Sequence, residues 1–151
     1  MKINKVALLI AFAVASVLFL EVAAHADEAN QLTKITFNQP IEIPGQILPA
    51  GTYLFQLADP NDLNVVHIFN AEGTRLYATL QTVTAERRQP TGNTALVLAE
   101  RSEGRPETLV KWFYPGNTSG HELVYPKQEE QQLAQDRQQT IVANQAAQAG
   151  D

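Results

Sequence analysis

The chain of 151 residues contains no cysteine. That absence removes disulfides, thiol catalysis, thiolate metal centres and lipid attachment through a cysteine. Histidine is scarce, with three in the whole chain. His25, His67 and His121 form no H-x-H or H-E-x-x-H spacing that would preassemble a metal site, and no metal or cofactor is expected. Positive charge is also short: 11 Lys and Arg stand against 16 Asp and Glu, a formal net charge of −5. Nucleic acids and anionic membrane surfaces are bound by clustered Lys and Arg, so neither is an expected partner; the one tight basic pair, Arg87-Arg88, is too small to reverse the balance. Catalytic signatures are missing as well. No serine sits in a G-x-S-x-G elbow, and Ser119 beside His121 reads as a loop serine. Glu100 and Glu103 flank a turn, where carboxylates are ordinarily solvated rather than paired for glycoside hydrolysis. The expectation is therefore a protein that is not an enzyme.

What is present begins with a leader. Lys2 and Lys5 precede a run from Val6 to Leu20, apolar but for Ser16, which is short of the roughly 20 residues that span a bilayer. It stops at Glu21 and is followed by Ala24-His25-Ala26, the small-residue pattern of a signal-peptidase site. Residues 1–26 are thus expected to be a signal peptide cleaved between Ala26 and Asp27, leaving an exported, periplasmic or extracellular protein with no transmembrane segment. The leader carries Lys2, Lys5 and Glu21, so the whole-chain −5 less its +1 leaves −6 for the remainder.

From Thr33 onward the pattern is that of short strands between Pro/Gly turns. Thr33, Ile35 and Phe37 alternate with Lys34, Thr36 and Asn38, and Pro40 closes the run. Pro44-Gly45 and Pro49-Ala50-Gly51 supply a preset φ followed by a residue free to take positive φ. Tyr53, Phe55 and Leu57 then alternate with Leu54 and Gln56. Val65 to Phe69 is apolar on both sides, as a strand covered on both faces would be. Asn70-Ala71-Glu72-Gly73 is a hairpin turn, and the returning strand to Thr84 is long enough to bend or to serve two sheets. Glu86 to Asn93 reads as an exposed loop. Thr94 to Glu100, Thr108 to Tyr114 and His121 to Tyr125 read as the last strands. Short strands at this spacing argue an all-β fold, a single β-sandwich or small barrel over residues 27–126.

These segments carry a resemblance. Thr36 to Gly45, Leu48-Pro49-Ala50-Gly51-Thr52-Tyr53, the hairpin from His67 to Thr74, Trp112-Phe113-Tyr114-Pro115-Gly116 and Glu122 to Lys127 together resemble a family of small secreted bacterial proteins of acidobacterial type. The resemblance covers roughly Thr33 to Lys127, and it implies a transthyretin-like or immunoglobulin-like sandwich and a secreted life rather than a reaction.

Beyond Pro126 the aromatics vanish. Residues 127–151 are rich in Gln and Ala, with Glu129 and Glu130 near a helix start and apolar residues too sparse for a buried stripe, the pattern of a helical or disordered tail. The residues most open to a binding role are Trp112, Tyr114, His121 and Tyr125. Exposed, they would form an aromatic platform for a sugar ring; buried, they are core. Lys111 between Leu109 and Phe113 suggests that their side of the strand is the wetter and that Trp112 faces inward. The function expected is a binding or structural role in the envelope or outside the cell, with an envelope protein or a polysaccharide as partner. The alternatives are a carbohydrate-binding module and an envelope hydrolase. Intact mass of the exported protein should place its first residue at Asp27, and an uncut chain in the membrane fraction would contradict the leader reading.

Overall fold

The computed structural model describes residues 29–102 and 104–143. The expected signal peptide with its Ala26–Asp27 junction, Glu103 and residues 144–151 lie outside the described residues. Among the described residues ten strands and one complete helix follow in order: β1 (Thr33–Phe37), β2 (Ile41–Ile43), β3 (Gln46–Leu48), β4 (Gly51–Asp59), β5 (Asp62–Asn70), β6 (Leu76–Glu86), β7 (Thr94–Ala99), β8 (Glu107–Phe113), β9 (Ser119–Leu123), α1 (Lys127–Gln135) and β10 (Gln138–Ala143). The fold is all-β and sandwich-like, as the spacing of turns implied, and it is not a closed barrel.

One half of the sheet runs β1-β4-β5-β6, and the other β6-β9-β8, with β7 and then β10 continuing beyond β8. The second edge of β8 is shared: β9 pairs with its end, while β2, hydrogen-bonded to β3, runs parallel to its start. β6 belongs to both halves. Its first part pairs with β5 from Leu76 to Gln81, with a register shift opposite Ile68 and Phe69, and its second part with β9 from Thr82 to Glu86. Ala78, Leu80 and Thr82 point inward, Val83 is 53% exposed, and Ala85 is inward again. The inward parity therefore changes within this strand, which bends from one half into the other.

The turns form for the reasons their residues suggest. Gly45 and Gly73 take φ of 84° and 71°, open to glycine at little cost. The Asn70 carboxamide oxygen accepts from the backbone N–H groups of Thr74 and Arg75 at 2.8 and 2.9 Å, closing the hairpin. Tyr53 explains the Pro-Ala-Gly-Thr-Tyr step: its hydroxyl donates to the Pro49 carbonyl at 2.6 Å, so the strand's first inward side chain ties down the turn before it.

The core is one large cluster containing Ile35, Ile43, Phe55, Ile68, Leu109, Trp112, Tyr125 and Leu133. Phe55 of one half meets Trp112 of the other edge-on, ring centres 5.7 Å apart and planes at 74°. A smaller cluster of Ala85, Ala95 and Phe113 lies beside it.

Three expectations need correction. β5 is covered on one face only: Val66 and Ile68 are buried while Val65, His67 and Phe69 are half-buried, so its apolar run reflects half-cover on the second side. In β8 both faces are largely closed. Trp112 is inward, but Leu109 and Phe113 are buried too, leaving Lys111 half-exposed between them beside Glu122 at 3.8 Å. The segment after Pro126 is helical over α1, as one reading had it, and Leu133 enters the core at 4% exposure. Beyond the helix, however, β10 pairs with β7 along six residues from Gln138↔Ala99 to Ala143↔Thr94. The β-structure thus extends past residue 126.

Arg101 fastens this return. Its side chain is 2% exposed and donates to Thr108 Oγ1 at 3.0 Å, Glu129 at 3.4 Å and Asp136 at 3.2 Å, joining the strand–strand connection to both ends of α1. Tyr125 adds a hydroxyl donated to the Leu109 carbonyl at 2.6 Å, and burial pushes its ionisation far above the ordinary phenol range. Desolvation and the neighbouring Glu129 carboxyl raise the pKa of Glu42 at the edge of this cluster, opposed by Arg101 and Arg105.

Gly120 has the least room of the described glycines. A Cβ there would meet the Phe113 ring and lie 2.6 Å from the Trp112 carbonyl oxygen. Gly120→Ala should lower stability by about 2 to 3 kcal/mol, as overpacking does, measured by urea unfolding followed on Trp112 fluorescence; an unchanged midpoint would show that β8 and β9 can separate at this point.

Candidate functional site

The four residues singled out in the sequence do not make a platform. Trp112, His121 and Tyr125 are 1%, 4% and 4% exposed, and Tyr114 is half-buried against the core. Trp112 and His121 are brought together, directly paired across β8 and β9 with ring centres 5.0 Å apart and planes 30° from parallel. Tyr125 is held by the Leu109 carbonyl in the region of α1. An aromatic surface for stacking a sugar needs open ring faces, and three of these rings have none.

His121 instead joins core to surface. Its Nδ1 lies 3.0 Å from the Leu63 carbonyl, which can only accept, so Nδ1 carries the proton and donates. Nε2 faces the Gln31 carboxamide at 2.8 Å. Burial lowers the pKa of His121, partly offset by the bond to Leu63, which favours the neutral ring. The atom facing Nε2 is the Gln31 carboxamide oxygen; a neutral ring with Nδ1 protonated pairs with this amide once its oxygen and nitrogen are exchanged. Gln31 takes φ of 51°, a left-handed conformation that costs a side-chain-bearing residue on the order of 1 kcal/mol or more. The Thr33 hydroxyl donates to its carbonyl at 3.0 Å and helps hold it there. Nothing in Asp27 to Gln31 announced this role, because the stretch has no periodicity and its partner lies ninety residues away.

A pocket of about 360 Å³ opens above this pair, lined by Leu63, Thr84, Ser119 and the loop from Gly116. Arg87, read from sequence as part of an exposed basic pair, holds that loop: it donates to the Asn117 carbonyl at 2.7 Å and the Tyr114 carbonyl at 3.2 Å, and its guanidinium lies 4.8 Å from the Phe113 ring centre.

A second concavity, of about 450 Å³, lies along the seam where the curled sheet fails to close. Ile35 and Phe37 of β1 border one side, and Leu96 and Leu98 of β7 with Ile141 and Val142 of β10 border the other. Among the described residues β1 pairs only with β4, and β10 only with β7, so each presents an unpaired backbone edge. β10 reads Gln-Gln-Thr-Ile-Val-Ala, without charge or proline, and its Ile141 and Val142 are 40% and 42% exposed. The only acidic group lining the seam is Glu107, which accepts from the Gln139 amide at 3.3 Å. No group of three or more His, Cys, Asp or Glu able to hold a metal ion occurs among the described residues, and no described helix is long and apolar enough to cross a membrane.

Comparison with protein-family models, with characterised proteins and with solved structures finds no match to this chain.

His121 makes the stability of the fold depend on acidity. The folded ring resists protonation while the unfolded one takes a proton near the ordinary value of about 6.5, so its contribution is whole above that pH and is lost as pH falls through it toward the lower folded pKa. The urea midpoint should drop more steeply on acidification from about pH 7.5 to 5.5 in the native protein than in His121→Gln. Parallel curves would mean that the imidazole does not titrate differently in the two states.

Proposed function

We propose that this protein is a non-enzymatic binding domain, acting outside the cytoplasm, that takes an extended polypeptide segment into the seam between β1 and β10. The observation that carries this reading is the edge of β10. Edge strands are ordinarily blunted by charge, proline or a covering segment, because unpaired N–H and C=O groups recruit other strands. β10 has no charged residue and no proline, and it exposes two β-branched side chains beside an apolar cleft. Main-chain hydrogen bonds from such an edge supply affinity that is indifferent to sequence, and the cleft selects alternate apolar side chains of the incoming strand. The exported location rests on the leader, and an envelope protein with an extended apolar segment is the partner that fits both.

The purified protein should bind fluorescein-labelled decapeptides that alternate isoleucine or valine with threonine, read by anisotropy. Ile141→Lys should weaken binding at least tenfold while leaving the unfolding free energy within about 0.5 kcal/mol, as exposed substitutions do. Equal binding of proline-interrupted control peptides, or no effect of Ile141→Lys, would refute strand addition at this edge.

A further inference from the structure

The pocket over His121 is built with more care than a surface dimple requires. Gln31 is kept in a left-handed conformation so that its carboxamide reaches a 4%-exposed imidazole. Such strain persists where surrounding structure over-determines it and is concentrated at ligand sites. The facing loop is fixed by three Arg87 donors, the third to Thr91 Oγ1 at 3.1 Å, and by the Gly116 N–H donating to the Thr91 carbonyl at 2.8 Å. A loop fixed in this way loses little freedom when something binds.

The chemistry facing the cavity is neutral and rich in hydrogen-bonding groups: the Gln31 amide and the hydroxyls of Thr84 and Ser119, with the His121 ring behind them. The nearby charges are Arg87, directed at carbonyls and a ring, and Glu86, whose carboxylate accepts from the Ser119 hydroxyl at 3.1 Å. A phosphate or carboxylate would find no unengaged cation here and would meet Glu86. A polyol would find donors and acceptors spaced for its hydroxyls, with Glu86 polarising Ser119 from behind. Leu63, 52% exposed, supplies the apolar wall on which the C–H face of a sugar ring rests. A volume of about 360 Å³ is at the lower end of small-molecule sites and suits one or two rings.

We infer that this pocket is a binding site for a neutral carbohydrate unit, held by hydroxyl and amide groups rather than by aromatic stacking. The inference is independent of strand addition at the seam, and either can fail without the other.

Trp112 reports on the site, since it is the only tryptophan and lies 5.0 Å from the His121 ring. The test titrates the ¹⁵N-labelled protein with glucose, galactose, mannose and N-acetylglucosamine, with β-linked oligomers of glucose and N-acetylglucosamine, and with glucuronate as the charged control. At least one neutral sugar should shift the Gln31, Ser119 and His121 resonances saturably and change Trp112 fluorescence at the same concentrations. Ser119→Ala and, separately, Thr84→Val should each weaken binding about fivefold, the worth of one hydrogen bond, with unchanged unfolding midpoints. Tighter binding of an oligomer than of its monomer would support the site and assign its ligand to a polysaccharide chain; equal binding would support it for free sugars. No saturable shift up to about 50 mM, where affinities of this size would be seen, would overturn the inference, as would glucuronate binding as tightly as the neutral sugars or binding indifferent to both substitutions.

Discussion

The two halves of this protein are held together by Trp112 set against Phe55. With no disulfide available, the join is made by burial, and the largest side chain of the chain is placed at its centre with 1% of its surface exposed. A buried aromatic removes roughly 200 Å² from water, worth about 5 kcal/mol at about 25 cal/mol per Å². Among the described residues the indole N–H has no hydrogen-bond partner, which costs about 1 to 3 kcal/mol. The apolar gain exceeds that cost, which explains how a polar atom comes to be left unmatched at the middle of the core. His121 packs against the same ring, so the join also helps to place the imidazole beside the surface pocket.

Much of the scaffold was legible because it is local. A glycine after proline or at the end of an asparagine turn states its own φ, and Tyr53 lies four residues from the carbonyl it binds. The parts that were not legible depend on distance. β10 has two apolar residues in a Gln-rich stretch, and only its partner β7, forty residues earlier, makes a strand of it. Leu109 and Phe113 looked wet because Lys111 stands between them, yet the surrounding structure buries both and leaves Lys111 half-exposed. Of the four aromatic and histidine positions, sequence could place Trp112 and His121 on two successive strands, but not that Tyr114 and Tyr125 fall just beyond those strands or that three of the four are buried.

The seam and the pocket use opposite chemistries. One offers backbone and apolar side chains with a single engaged carboxylate; the other offers hydroxyls and amides beside an imidazole. Both suit a protein with few cations, since neither depends on attracting an anion. Each also draws on a residue whose local sequence context is unremarkable, Ile141 in one case and Gln31 in the other, because recognition here is a property of how strands are brought side by side.

A strand that belongs to both halves has a mechanical consequence. β6 is hydrogen-bonded to β5 along its first part and to β9 along its second, with no loop between them to act as a hinge. Neither half can peel away without pulling β6 out of register with the other, so the two cannot open as separate units. Force or heat applied to either is carried across the bend at Thr82 to Ala85, so that strain in one half is felt by the strand pairing of the other.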